Sequence, residues 1–68
     1  MSFRLKELGR SLSKIRKKKG LTQAQIAKKI GISRDRWSRI ERGAVDPWIS
    51  EIYEFSRIVK VQIEIILE

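Results

Sequence analysis

Apolar residues recur every three or four positions along most of the chain, and this spacing predicts amphipathic helices. Leu5, Leu8, Leu12 and Ile15 form the first apolar stripe, which predicts a helix over residues 4–18. Lysines and an arginine fill its last turn, where cations suit the negative end of the helix dipole.

A second helix is predicted over residues 23–30, with a marked start and a marked end. Thr22 and Gln25 have the spacing of a capping box, and Gly31 follows the last apolar position. Because a short turn separates this helix from the next, the pair is typical of a helix-turn-helix.

The third helix, predicted over residues 33–42, has a narrow apolar stripe and a basic outer face. Ser33 is suited to cap it, and Trp37 and Ile40 share the face that anchors it to the core. The other faces carry four arginines: Arg34, Arg36, Arg39 and Arg42. Such a helix fits the DNA major groove, although charge runs are also typical of solvated surface helices.

A fourth helix is predicted to begin at Pro47 with Asp46 as its cap, and to end near Val59. Its inner stripe is predicted to comprise Ile49, Ile52, Ser56 and Val59, with Tyr53 beside it. Phe55 and Ile58 lie off that stripe, which suggests that they contact something else.

The tail, residues 61–68, has a different period. Its apolar residues alternate with polar ones, with Ile66 as the exception; the alternating residues are Val61, Ile63, Ile65 and Leu67. This alternation favours a β-strand over a short fifth helix. A lone strand needs a partner, so we predict that it pairs with a second copy and dimerises the chain. The predicted organisation is a DNA-binding domain over residues 1–60 and a dimerisation strand over residues 61–68.

Charge is distributed unevenly along the 68 residues. The net charge is +8, but 14 of the 16 Lys and Arg residues lie in residues 1–42, and five of the eight acidic residues lie beyond them. A basic region of this kind indicates a polyanionic partner such as double-stranded DNA.

Composition excludes several other classes of protein. The chain has no Cys and no His, so we expect no disulfide, no metal site and no cofactor, and we expect that it is not an enzyme. No apolar run approaches the roughly 20 residues of a membrane span, and no signal peptide is evident. We therefore expect a cytoplasmic protein that does not bind membranes.

Two segments, LTQAQIAKKIGIS (residues 21–33) and WSRIERG (residues 37–43), resemble the Cro/C1-type (lambda-repressor-like, XRE) helix-turn-helix family. The resemblance extends from about residue 8 to residue 61. It implies an all-α bundle of four or five helices that binds DNA, usually as a dimer on a palindrome. The placement of the tail resembles the C-terminal strands of HipB-like antitoxins.

The resemblance also implies roles for individual residues. Base-reading positions are Arg34, Asp35 and Arg39, while backbone contacts fall to Gln23, Ser38, Arg42 and the loop amides near Ala44. Arg16 and Glu41 match a structural ion pair. Lys28 and Arg36 are added to the DNA face for their charge, Arg36 with no assigned contact. Trp48 departs from the family's Ser or Thr, and we expect it to cover the edge of the core, with a dimer surface as the alternative.

The chemistry of the third helix is consistent with these roles. Arg is the preferred bidentate donor to guanine, so Arg34 and Arg39 favour guanine in each half-site. Asp35 has two interpretations: it accepts from cytosine, or it pairs locally with Arg39 four residues later.

We therefore predict a homodimeric, sequence-specific transcriptional repressor. The alternative hypothesis is an antitoxin that binds a toxin protein and regulates its own operon, suggested by the acidic second half and the off-stripe Phe55 and Ile58.

Overall fold

The computed structural model describes residues 4–60, and four α-helices account for most of this range. They are α1 (Leu5–Lys18), α2 (Gln23–Ile30), α3 (Arg34–Glu41) and α4 (Ile49–Val59). The predicted all-α helix-turn-helix fold is confirmed. The strand predicted over residues 61–68, and its fifth-helix alternative, lie outside the described residues. No helix in the described range is long and apolar enough to cross a membrane.

Local caps mark the start and end of α2 and the start of α3. Thr22 Oγ1 accepts from the Gln25 amide at 3.0 Å, and Gln25 Oε1 accepts from the Thr22 amide at 2.8 Å. Gly31 ends α2 with φ at 93°, a left-handed conformation that glycine adopts without strain. Ser33 Oγ then accepts from the Arg36 amide at 3.0 Å and starts α3. Local sequence therefore sets where α2 begins and ends and where α3 begins.

All four helices contribute to one apolar core. Its buried residues are Leu8, Leu12, Ile26, Ala27, Trp37, Ile40, Ile52, Phe55 and Val59. The Trp37 and Phe55 rings stack with their centroids 5.2 Å apart, which ties α3 to α4. The expectation that Phe55 lies off the inner face was wrong, because it follows Ile52 by three residues and shares its face.

The start of α4 also differs from the prediction. The helix begins at Ile49, after Trp48 in the N-cap position, and not at Pro47 with Asp46 as its cap. Glu51 Oε1 accepts from the Trp48 amide at 2.8 Å and stabilises this start. Ile49 lies in the first turn and is 66% exposed, so it does not belong to the inner stripe.

Trp48 does not cover the core as expected, because it is 67% exposed. Ile49 and Tyr53, four residues apart on α4, are also exposed, at 66% and 55%.

The backbones of α1 and α3 approach each other closely at Gly9. A Cβ atom there would overlap the Glu41 carbonyl oxygen and lie 2.7 Å from that of Ile40. The glycine that weakens α1 in isolation is therefore the residue that lets α3 pack against it.

Candidate nucleic-acid interface

The outer face of α3 presents charged side chains to solvent along the length of the helix. Arg34, Asp35 and Arg39 are all exposed. Arg39 Nη2 lies 3.1 Å from Asp35 Oδ2, so the local pair expected from their spacing is present, between side chains that are 54% and 71% exposed. These three residues remain accessible to a ligand, because an exposed pair of this kind is weak and readily exchanged.

Glu41, at the end of α3, joins three elements through four hydrogen bonds. Arg16 of α1 donates to its two oxygens, from Nε at 2.6 Å and from Nη2 at 3.1 Å. Gln23 Nε2 donates at 2.9 Å and Trp37 Nε1 at 2.6 Å. Arg16 also donates to the Leu21 carbonyl at 2.7 Å, so the buried guanidinium is well satisfied. This Glu41 cluster fixes α3 against α1 and α2.

The electrostatics of Glu41 follow from these contacts. Burial alone would raise the pKa of its carboxyl, but the hydrogen bonds from Arg16, Gln23 and Trp37 outweigh burial and lower it. Glu41 is therefore ionised at neutral pH, and its charge is balanced by Arg16.

The structure places Arg36 in an ion pair instead of leaving it free on the DNA face. Its Nε and Nη2 donate to the Glu51 carboxylate of α4 at 2.6 and 2.8 Å. The guanidinium also lies 4.9 Å from the centroid of the Trp48 ring, a cation–π contact. The hydrogen bond from Arg36 lowers the pKa of Glu51 despite burial. In this arrangement Arg36 links α3 to α4.

The residues predicted to contact the DNA backbone differ in how accessible they are to a phosphate. Arg42 and Lys28 are exposed, and Ser38 is half-buried. The side-chain amide of Gln23 is bound to Glu41, but its backbone N–H is the first of α2, and such groups have no acceptor within their helix. The Ala44 amide was expected to be available to a phosphate, but it donates to the Arg39 carbonyl at 2.9 Å and closes the end of α3.

A cleft of about 480 Å³ lies beside α3. The α1 residues that line one side of it were not among the predicted site residues. It is lined by Arg10, Ser13, Lys14, Lys17, Gln23, Glu41 and Arg42. The signal was present in the spacing, since Arg10, Lys14 and Lys17 recur at four and three residues and share one helical face. Only the fold shows that this face adjoins Gln23 and Arg42.

Comparison with known proteins also identifies a helix-turn-helix domain. A family model described as a helix-turn-helix domain matches residues 7–62. The uncharacterised HTH-type transcriptional regulator y4dJ of Sinorhizobium fredii is 32% identical over 56 residues, which are 82% of this chain and 73% of the relative. An uncharacterised HTH-type transcriptional regulator of Archaeoglobus fulgidus is 32% identical over 53 residues, 78% of this chain and 76% of the relative.

Two solved structures have the same fold. The restriction-modification controller protein C.AhdI from Aeromonas hydrophila has a TM-score of 0.86 at 24% identity, covering 91% of this chain and 94% of its own. The clp gene regulator ClgR from Corynebacterium glutamicum has a TM-score of 0.90 at 21% identity, covering 97% of this chain and 70% of its own. Since the family model matches most of its length, the chain belongs to the helix-turn-helix family of transcriptional regulators.

Proposed function

We propose that the protein is a sequence-specific DNA-binding repressor that acts as a homodimer on a palindromic operator. The observation that carries the proposal is the two-sided character of α3. Its inner side is held by Trp37, Ile40 and the Glu41 cluster, while Arg34 and Arg39 face solvent. A helix held on its inner side, with exposed arginines in its first and last turns, suits insertion into the major groove.

Each protomer places α3 in one major groove. Arg34 and Arg39 donate to guanine edges, and Asp35 keeps Arg39 in position or accepts from cytosine. Arg42, Ser38, Lys28 and the N-terminus of α2 contact the phosphate backbone and set the register. The names of the related regulators support a role in transcription.

Homodimerisation is proposed from two features. The alternating apolar tail, residues 61–68, is suited to pair with a second copy, and the exposed side chains of Trp48, Ile49 and Tyr53 offer apolar area for burial. Deleting residues 61–68 is expected to convert the dimer to a monomer in size-exclusion chromatography and to weaken operator binding. A truncated chain that stays dimeric would refute the role of the tail.

A toxin partner is not proposed. The acidic second half, Phe55 and Ile58 suggested it, but Phe55 is fully buried against Trp37 and Ile58 is partly buried against the same core.

The test of the proposal is selection of bound duplexes from a random pool. We expect two inverted half-sites whose centres lie about 34–36 Å apart, or a multiple of that, with guanine prominent in each. Arg34→Ala is expected to cost about 1–3 kcal/mol on the selected site and to relax preference at one base pair. Equal loss on all sequences would contradict the base-reading role of Arg34, and failure to enrich any sequence would refute the function.

A further inference from the structure

We propose that the cleft between α1 and the end of α3 binds a backbone phosphate of the operator, through Arg10, Lys14 and Lys17 together with Arg42. This inference rests on the proposed DNA-binding function and extends the contact surface to α1. Four cationic side chains line one cleft, and in the described range none of them takes part in an ion pair.

The spacing of the α1 cations destabilises the free protein slightly, through repulsion between their charges. Arg10, Lys14 and Lys17 are neighbours on one helical face, and like charges three or four residues apart repel. A phosphate between them removes that repulsion. Glu41 also lines the cleft, but its charge is balanced by Arg16 at 2.6 Å and does not repel an anion strongly.

The position of the cleft fits the proposed docking of α3. The eight residues of α3 span about 12 Å, which is close to the width of the major groove. Because Arg34 lies in the first turn of α3 and Arg39 in the last, the proposed base contacts take up the length of the helix, and Arg42, just beyond its last turn, lies towards the edge of the groove, where the phosphates run. Arg42 caps this end of α3 and lines the cleft, as does Gln23 at the N-terminus of α2. The cleft is thus continuous with the predicted backbone contacts.

A charge-matched pair of variants tests the proposal. Lys14→Gln with Lys17→Gln removes two cations from the cleft, and Lys18→Gln with Lys19→Gln removes two exposed cations from the end of α1, outside it. The cleft variant should bind selected and non-specific duplexes about tenfold more weakly at 0.1 M salt, if its two lysines share one phosphate. The slope of log affinity against log salt should fall by about one. The control variant should change both quantities much less, and circular dichroism should show both variants folded.

Duplexes with a single uncharged methylphosphonate then locate the contact. At one position in each half-site, the methylphosphonate should weaken the wild type about tenfold and should weaken the cleft variant, which keeps Arg10 and Arg42, several-fold less. Equal losses for the two variants, or additive losses at every position, would overturn the cleft contact while leaving sequence-specific binding intact.

The same measurements separate other outcomes. A wild type that binds selected and random duplexes equally refutes the proposed function, whereas the cleft contact then stands or falls on the difference in salt slope between the cleft variant and the control variant. Binding of inorganic phosphate alone, seen as NMR shifts at Lys14 and Lys17 without any methylphosphonate effect, would assign the cleft to a free anion and overturn its role on DNA. A chain that binds no duplex overturns both.

Discussion

Replacing Glu41 by Ala tests whether the Glu41 cluster holds α3 in place. The substitution leaves the Arg16 guanidinium, whose side chain is 8% exposed, without its anion. Breaking a buried ion pair from one side costs about 3–5 kcal/mol. The buried Trp37 Nε1 also loses its acceptor, which adds to the cost.

The expected loss is therefore about 4 kcal/mol or more. At about 0.05–0.15 kcal/mol per residue, a chain of 68 residues has a total stability of only some 3–10 kcal/mol. Glu41→Ala should consequently be partly or largely unfolded at 25 °C. Urea titration followed by circular dichroism measures the loss, with ligand-free wild type as the reference.

Asp35→Ala is the matched control, because it also removes an acidic partner of an arginine from α3. The Asp35–Arg39 pair is exposed, so its loss should cost less than about 1 kcal/mol. The double variant Arg16→Met with Glu41→Leu should recover part of the loss, since it leaves no buried charge unpaired. If Glu41→Ala costs no more than Asp35→Ala, the cluster does not hold α1 to α3 and the reasoning fails.

Three further predictions concern stability. Gly9→Ala should destabilise the fold by about 2 kcal/mol, because overlap with the backbone of α3 outweighs the better helix propensity; a thermal melt showing no decrease would contradict the close approach. Arg36→Ala should lower the free energy of unfolding by about 2 kcal/mol, because it leaves Glu51 buried without its cation. It should leave discrimination between operator and scrambled duplex unchanged. Lost preference at one base pair would instead make Arg36 a DNA contact. The pKa values of Glu41 and Glu51 lie below their ordinary 4.5, so the stability that these groups contribute is present above about pH 4.5 and lost as pH falls through the lowered values. A urea midpoint that stays constant from pH 7 down to pH 3 would refute this.

The sequence predicts α1, α2 and α3 well, because their signals are local. Thr22, Gly31 and Ser33 act within a few residues of their own positions, and the structure uses each of them as a cap. The start of α4 was wrongly predicted because part of what fixes it is not local. Asp46 and Pro47 form a standard start, but Glu51 bonds to the Trp48 amide and is itself held by Arg36, fifteen residues away in sequence.

In the candidate site, too, features set by local spacing could be predicted from the sequence, and features set by tertiary packing could not. The exposed arginines of α3 follow from helical spacing, whereas the partner of Arg36 depends on where α4 packs. The cations of α1 show their shared face in the sequence, but Gln23 and Arg42 join them only through the tertiary fold. Non-local contacts of this kind cannot be derived from the periodicity of a single segment.

In α3, the groups that hold the helix in place are separate from the exposed side chains proposed to bind DNA, and this separation has an evolutionary consequence. The groups that hold the helix are backbone atoms and inward side chains, and Arg34 and Arg39 take no part in the core. Exposed residues outside the core usually tolerate substitution within about 0.5 kcal/mol. If these two residues read bases as proposed, duplicated copies of the gene can acquire new operators through changes at these two positions while keeping the same four-helix scaffold. Divergence of targets then proceeds without passing through unfolded intermediates.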